Sequence, residues 1–551
     1  MFFSFDSDLW LASFSKSLYG YKSYSETYFR IASTVRKGIF MAKLKEKVVL
    51  AYSGGLDTTA IIPWLKEHFD YEVICCCVDC GQDSELRSLE ERAKLAGASK
   101  LYLLDEKDVF AEEYVLPCLQ SGVRPERAAL LGSALSRPLI AKKLAEIAVK
   151  EHAVAICHGA TGKGNDQVRF ELSIKALAPE LKVIAPWRMT ELWPFRSRED
   201  ELAYCRQKGI DLPFDASHSY SHDRNLWHSS HEGLELEDPA QEPMLEELLL
   251  LGVSPKQAPD AETLLRIGFE KGVPVSLNGK ELRLSELLRR LNELGGNNGI
   301  GIYDLVEDRV VGMKARGIYE IPAVTILLKA QSCLEALVLD RETLETKRTL
   351  SEKFASLLYE GKWFTPLREA LQAFFASTQE LLTGEVRLRL YKGNLIHAGS
   401  SSEFSLYSEE FASFTTGELY HHRDAEGFIS LYGLPMLLRA RMQQRSGSAE
   451  LLEMPELLSL SQPVKTTVSK VKKADKKQAV RKTSEKKKTA DKSADKKKSG
   501  KKEDSKAESG KKEDSKAESG KKETVKKTAV KKVATKKTVA KKTGKKLPQE
   551  Q

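Results

Sequence analysis

From Lys45 to about Pro186 the chain alternates between two hydrophobic periods. Short apolar runs predict buried strands at Val48–Tyr52, Val73–Asp79, Lys100–Leu104, Ala153–His158 and Lys182–Ile184. Helical spacing between them predicts helices over Asp57–Phe69, Ser84–Leu95, Leu135–Glu151 and Asp166–Leu177. Such alternation implies an α/β fold: a Rossmann-like parallel sheet with helices on both faces and ligands at the carboxyl ends of the strands. Pro63 falls inside the first helix and should kink it or tighten a turn, because its ring removes one hydrogen bond and crowds the preceding turn.

Past Leu212 the pattern changes. A charged helix is expected at Leu282–Leu294, strand-like runs at Ala323–Leu328 and Glu385–Tyr391, and a closing helix at Leu434–Gln444 suited to subunit contacts. The expected division is an extension over 1–43, a parallel-sheet domain over 44–211, an α+β domain over 212–445 and a basic tail over 446–551.

Charge sharpens the last boundary. The 551 residues carry a net charge of +9, but Ser461 to Gln551 hold 33 Lys and Arg against 12 Asp and Glu. The rest of the chain is therefore net acidic, and the two parts need separate explanations. The tail has no aromatic residue and repeats Ser499-Gly500-Lys501-Lys502-Glu503-Asp504-Ser505-Lys506-Ala507-Glu508 from Ser509. It cannot bury enough apolar surface to offset chain entropy, so it is expected to be disordered. Weak, sequence-independent contact with nucleic acid or another polyanion would follow from counterion release; a solvated spacer without a partner is the alternative.

No stretch approaches the ~20 apolar residues of a membrane span, so no membrane partner is expected. Residues 1–40 lack an apolar segment followed by a small-residue cleavage site. We read them as a dispensable extension, with Met41 able to serve as the start. Eight cysteines, three of them adjacent at Cys75–Cys77, fit core packing in a reducing compartment, and the cytoplasm is the expected location. Cys77-Val78-Asp79-Cys80 has C-x-x-C spacing, but no second pair completes a zinc site, and no metal-ligating residue is assigned.

Candidate chemistry begins at Ser53-Gly54-Gly55-Leu56-Asp57-Thr58-Thr59, between the first strand and the first helix. Two glycines let the backbone approach an anion closely, and a helix start offers free N–H groups to phosphate. Ser53, Thr58 and Thr59 add hydroxyl donors. A second glycine-rich segment, His158-Gly159-Ala160-Thr161-Gly162-Lys163-Gly164-Asn165-Asp166-Gln167-Val168-Arg169-Phe170, follows the fourth strand. It is not a Walker loop, whose first Gly would fall at Cys157 and whose Ser/Thr would fall at Gly164. Asn and Asp side chains suit an amino group, and Thr and Arg suit a carboxylate, so the pair of loops fits an amino acid presented to a nucleotide.

These segments together resemble the argininosuccinate synthases within the ATP-pyrophosphatase (PP-loop) family. The resemblance runs from about Lys47 to Arg445. It rests on Ala51–Thr59, His158–Phe170, Val183–Arg188, Leu236–Pro239 and Val306–Glu320. It implies a homotetrameric ligase of arginine biosynthesis that joins L-citrulline to L-aspartate, splitting ATP to AMP and pyrophosphate with Mg²⁺. On the family's pattern Ala51, Tyr52, Ser53, Gly54, Gly55, Leu56, Asp57, Thr58 and Thr59 hold ATP and its departing pyrophosphate. Val78 and Gly159 touch the nucleotide through backbone. Thr161, Asn165 and Asp166 fall at aspartate-binding positions. Asn165, Arg169, Ser221, Ser230, Glu307 and Tyr319 fall at citrulline-binding positions. Asp57, Asp166 and Arg169 are the candidate catalytic residues.

The chain departs from that pattern in three places. Ala129 stands where the family carries a citrulline-contacting Tyr, Ala134 where it carries a Ser, and Tyr303 where an Arg is common. Two lost hydrogen bonds would weaken the grip on citrulline by about 0.5–1.5 kcal/mol each. Two alternatives stay open: another PP-loop adenylating ligase, and an inactive body carrying a nucleic-acid-binding tail.

Overall fold

Lys47–Ala51 (β1) is the middle strand of a five-stranded parallel sheet. In chain order Leu56–Phe69 (α1), Glu72–Asp79 (β2), Leu89–Leu95 (α2), Lys100–Asp105 (β3), Gly132–Glu151 (α3), Ala155–Cys157 (β4), Asp166–Leu177 (α4), Lys182–Ile184 (β5) and Arg198–Gln207 (α5) follow it. The strands lie in the order β3-β2-β1-β4-β5. In register, Leu50 faces Cys75 on one side and Cys157 on the other. The computed structural model describes residues 45–82, 88–210, 212, 220–413 and 419–448. The extension expected over 1–43, the tail from residue 449 onward and the helix start expected at Ser84 lie outside them.

Both faces of this sheet are covered, which is why its strands read as continuous apolar runs. Val49 packs into the core on one face, and Val48 and Leu50 into the core on the other. The adjacent cysteines divide the same way, Cys76 to one side and Cys75 and Cys77 to the other. All eight cysteines are free thiols, and burial pushes the Cys76 thiol up to about 12. α1 runs through Pro63 rather than ending there, with Ile61, Ile62, Trp64 and Leu65 buried around it.

The second half is antiparallel. Ser221–Arg224 (β6) and Ser229–Glu232 (β7) form a hairpin. Thr263–Glu270 (β8), Val273–Leu277 (β9) and Lys280–Glu281 (β10) precede helix Leu284–Asn297 (α6). Ile302–Asp308 (β11) and Lys314–Glu320 (β12) lead into Pro322–Val338 (α7), Arg341–Tyr359 (α8) and Pro366–Thr378 (α9). Gly384–Tyr391 (β13) and Asn394–Ser401 (β14) complete a sheet ordered β10-β9-β8-β13-β14, beside a second ordered β11-β12-β7-β6. Asp424–Tyr432 (α10) and Leu434–Ser446 (α11) follow.

The strand expected at Ala323–Leu328 is instead the first part of α7. Pro322 sits in its first turn, where a missing N–H costs nothing. Its buried face continues at Leu327, Ala330, Leu334 and Val338, a helical spacing that the short window hides. Among the described residues no helix is long and apolar enough to cross a membrane.

Candidate active site

The turn from β1 to α1 has the shape of an anion cradle. Gly54 takes φ +78°, and a Cβ there would lie 2.0 Å from Leu89 Cδ2, so both conformation and space require glycine. Arg92 Nη1 donates to the Gly54 carbonyl at 2.6 Å and pins the turn from α2. Ser53 Oγ lies 3.1 Å from Thr58 Oγ1 and accepts from the Gly55 N–H at 3.3 Å. Thr59 Oγ1 donates to the Gly55 carbonyl at 2.8 Å. Among the described residues no side chain caps the start of α1 at Gly55. Its first amides are thus left for an acceptor from outside, the arrangement in which helix starts bind phosphate.

The β4–α4 segment lies against this turn. A Cβ on Gly159 would sit 3.1 Å from Thr58 Cγ2 and 3.9 Å from Asp57 Cβ, so the second loop faces the first helix turn. His158 anchors it: its Nδ1 accepts from the Ala160 N–H at 3.3 Å, and its ring stacks on Phe170. Thr161 at the loop tip is exposed. Val78 ends buried on β2, its carbonyl accepting from Gln82 Nε2 at 3.0 Å.

At the start of α4 the polar residues converge. Arg137 Nε donates to Asp166 Oδ2 at 2.8 Å, and Arg137 Nη2 donates to Asp223 Oδ2 at 2.7 Å. Arg169 Nη1 donates to Asp166 Oδ1 at 2.9 Å. Burial works against ionisation of Asp166, but Arg137 and Arg169 outweigh it and hold the carboxyl below its ordinary range. Asp223 is also held well below its ordinary range, burial again being outweighed by Arg137, with His228 and Ser133 adding to the effect. Two guanidinium groups thus hold Asp166 in its charged form and fix both of its oxygens.

Across from it, Asn165 Nδ2 donates to the Tyr359 hydroxyl at 2.8 Å, and that hydroxyl donates to Glu307. The Val310 N–H donates to Asn165 Oδ1 at 2.8 Å, so both ends of the Asn165 amide are fixed. Arg169 Nε donates to the Tyr359 carbonyl at 3.1 Å. Burial raises the Glu307 carboxyl above its ordinary range against the opposing pull of Tyr359 and Arg169.

The β-sheet supplies the remaining wall. Tyr319 lies opposite Ser230, and Ser230 opposite Asp223, so the three share one face. Burial pushes the Tyr319 hydroxyl well up. Ser221, two residues before Asp223 on the edge strand, lies on the same face and is exposed; its cross-strand partner Glu232 accepts from Arg309 at 2.8 Å. Ala129 and Ala134 are fully buried. Between them Ser133 Oγ donates to Asp223 Oδ2 at 2.5 Å.

Residues that sequence reasoning missed are mostly those that hold the others. Arg137 stood inside the run Leu131–Pro138 and gave a signal only as a charge beside a proline. Asp223 lay two residues from Ser221. Tyr359, 194 residues from Asn165, gave none.

Residues 47–211 match the family described as the arginosuccinate synthase N-terminal HUP domain, and residues 220–439 match the arginosuccinate synthase C-terminal domain. An argininosuccinate synthase of Lachnoclostridium phytofermentans is 65% identical over 397 residues, 72% of this chain and 98% of that relative. One of Agathobacter rectalis is 64% identical over 397 residues, 72% of this chain and 97% of its own length.

Proposed function

The chain belongs to the argininosuccinate synthase family, and from that premise we propose that it joins L-citrulline to L-aspartate at the expense of ATP, giving argininosuccinate, AMP and pyrophosphate. The observation that carries this reading is the meeting of an uncapped phosphate turn at Gly54–Gly55 with a loop whose Asn165 and Asp166 are already fixed by partners.

A ureido group is a weak nucleophile with a poor leaving group, so it must first be activated. Its oxygen attacks the α-phosphorus of ATP, pyrophosphate leaves, and the aspartate amine then displaces AMP from the citrullyl-adenylate. The chain's own work is alignment and charge stabilisation, which can contribute about 7–11 kcal/mol through proximity. The amides at the start of α1, with Ser53 and Thr58, would receive the departing pyrophosphate. Tyr52, Val78 and Gly159 would line the nucleotide. Asp166 would pair with the aspartate ammonium, with Thr161 and Asn165 beside it. Arg169, Ser221, Ser230, Glu307 and Tyr319 would hold citrulline.

Among the described residues no group of three His, Cys, Asp or Glu could hold a metal ion. The residues therefore offer no protein cage for Mg²⁺, and a Mg²⁺ carried on the triphosphate, as is usual for this ion, would need none. No step is assigned to it.

The reaction is tested by giving the protein citrulline labelled with oxygen-18 in the ureido group. Label recovered in AMP supports the attack described; label retained in the amino-acid product contradicts it.

The wider setting is also proposed. Free buried thiols support the cytoplasm as the location. Exposed apolar side chains on α10 and α11, such as Ile429, Leu431, Met436 and Met442, support assembly into a homotetramer. The lysine-rich tail supports weak contact with polyanions.

A further inference from the structure

Glu201, on α5, is 1% exposed, and among the described residues no N–H or O–H group donates to either of its carboxylate oxygens. Burying an ionised carboxylate without a partner is among the most costly arrangements a protein can make. Glu201 is also not isolated: α5 packs on α1, whose first turn after the phosphate cradle carries Asp57, and the Asp57 carboxylate is the charge that acts on Glu201 most strongly. The position of α5 is set firmly. Ser197 Oγ accepts from the Asp200 N–H at 3.2 Å, and Asp200 Oδ2 accepts from the Ser197 N–H at 3.2 Å, a reciprocal cap that leaves Glu201 in the first full turn.

We propose that Glu201 is a positioning residue of the nucleotide site: as the neutral acid it donates a hydrogen bond to Asp57, so that the two carboxyl groups carry one negative charge and the cradle stays open to a triphosphate. The inference rests on the assignment of Gly54–Thr59 to ATP. Its logic is charge economy. A second full negative charge beside the cradle would repel the phosphate groups that the α1 amides are placed to receive. A neutral hydrogen-bonding residue of the same size keeps Asp57 in place without that penalty.

The surrounding charges support this state. From α5, Arg198 pulls toward ionisation and Asp200 against it; from α1, Asp57 pulls against it. Farther along the same two helices, Glu67 is occupied by Tyr204 and Lys208. Cys205, also on α5, is a buried thiol. Burial first, and then Asp57, push the Glu201 carboxyl up to about 9.

The test compares wild type with Glu201→Gln, which keeps an N–H donor but cannot ionise. The KM for ATP and the kcat of citrulline-dependent pyrophosphate release are followed from neutral pH upward, with an infrared difference spectrum of the free protein over the same range. In wild type, KM for ATP rises about tenfold for each unit beyond the titration, kcat at saturating ATP stays level, and a carboxylic-acid carbonyl band disappears. In Glu201→Gln the KM rise and the band are both absent. A KM rise of equal size in Glu201→Gln, or no acid band in wild type at neutral pH, overturns the inference. Should Glu201→Gln fail to fold, Asp57→Asn decides through the spectrum: removing the facing charge must shift loss of the acid band to lower pH, and an unmoved band contradicts the pairing. A wild type that releases no pyrophosphate would count against the ATP assignment, and the spectrum would still judge the pair.

Discussion

Arg137 and Asp166 are joined by a hydrogen bond of 2.8 Å that links the long helix α3 to the first turn of α4. With Arg169 on its other oxygen, Asp166 is held as an anion, oriented and partly desolvated before any substrate arrives. In the proposed reaction it pairs with the aspartate ammonium. Arg137→Ala is expected to cut kcat/KM for aspartate about 100-fold, equivalent to about 3 kcal/mol for one charged hydrogen-bonded pair, and to alter KM for ATP far less. Steady-state kinetics with each substrate varied checks the split. Because the Asp166 carboxyl is lowered, its contribution to stability is complete above the ordinary carboxylate range and is lost only as pH falls through its depressed value.

Tyr359→Phe removes one oxygen and with it the hydrogen bonds to Asn165 Nδ2, the Glu307 carboxyl and the Asp308 carbonyl. Leaving buried polar groups unpaired costs about 1–3 kcal/mol. KM for citrulline should rise about tenfold, with the unfolding temperature also falling. Unchanged citrulline kinetics would show that Tyr359 braces the fold alone.

Gly54→Ala is expected to fail at the cradle itself. The new methyl would enter Leu89 and demand a positive φ, a conformation costing about 1–3 kcal/mol for a residue with a side chain. ATP binding, measured by calorimetry, should weaken at least tenfold, whereas Gly427→Ala, with open space at its Cβ, should have no effect.

Glu201 makes stability depend on pH with a definite sign. Its folded-state carboxyl is raised, so the folded protein holds a proton that the unfolded chain releases. The benefit is full below the ordinary value of 4.5 and is lost as pH rises toward about 9. Glu201→Gln should therefore gain in unfolding temperature relative to wild type as pH rises across that window. A constant difference would contradict it.

Protein truncated after Gln462 should lose salt-sensitive retention on a polyanion column while keeping its catalytic constants. Equal retention of the truncated and full-length chains would remove the polyanion reading of the tail.

Much of the fold was legible because the inner strands of the parallel sheet are buried on both faces and read as uninterrupted apolar runs, as Val73–Val78 does. Asp166–Leu177 was legible to the residue, since a polar turn and an Asp mark its start. Ala323–Leu328 misled because a six-residue window with five apolar residues carries no period of its own; the helix shows only when Leu334 and Val338 are included. In the site, glycines and loop polar residues announced themselves by local pattern. The residues that fix them did not. Arg137, Asp223 and Tyr359 act across 29, 86 and 194 positions of sequence, and such pairings are set by packing. Glu201 carries no signal in the sequence, lying among the acidic residues Glu199 and Asp200, and only its burial sets it apart.

The most direct measurement of the central claim is pyrophosphate release by purified protein supplied with ATP, Mg²⁺, citrulline and aspartate, each omitted in turn. Release that requires citrulline, with sustained turnover that requires aspartate as well, is the predicted result. Release indifferent to citrulline, or no release from folded protein that binds ATP, would contradict it.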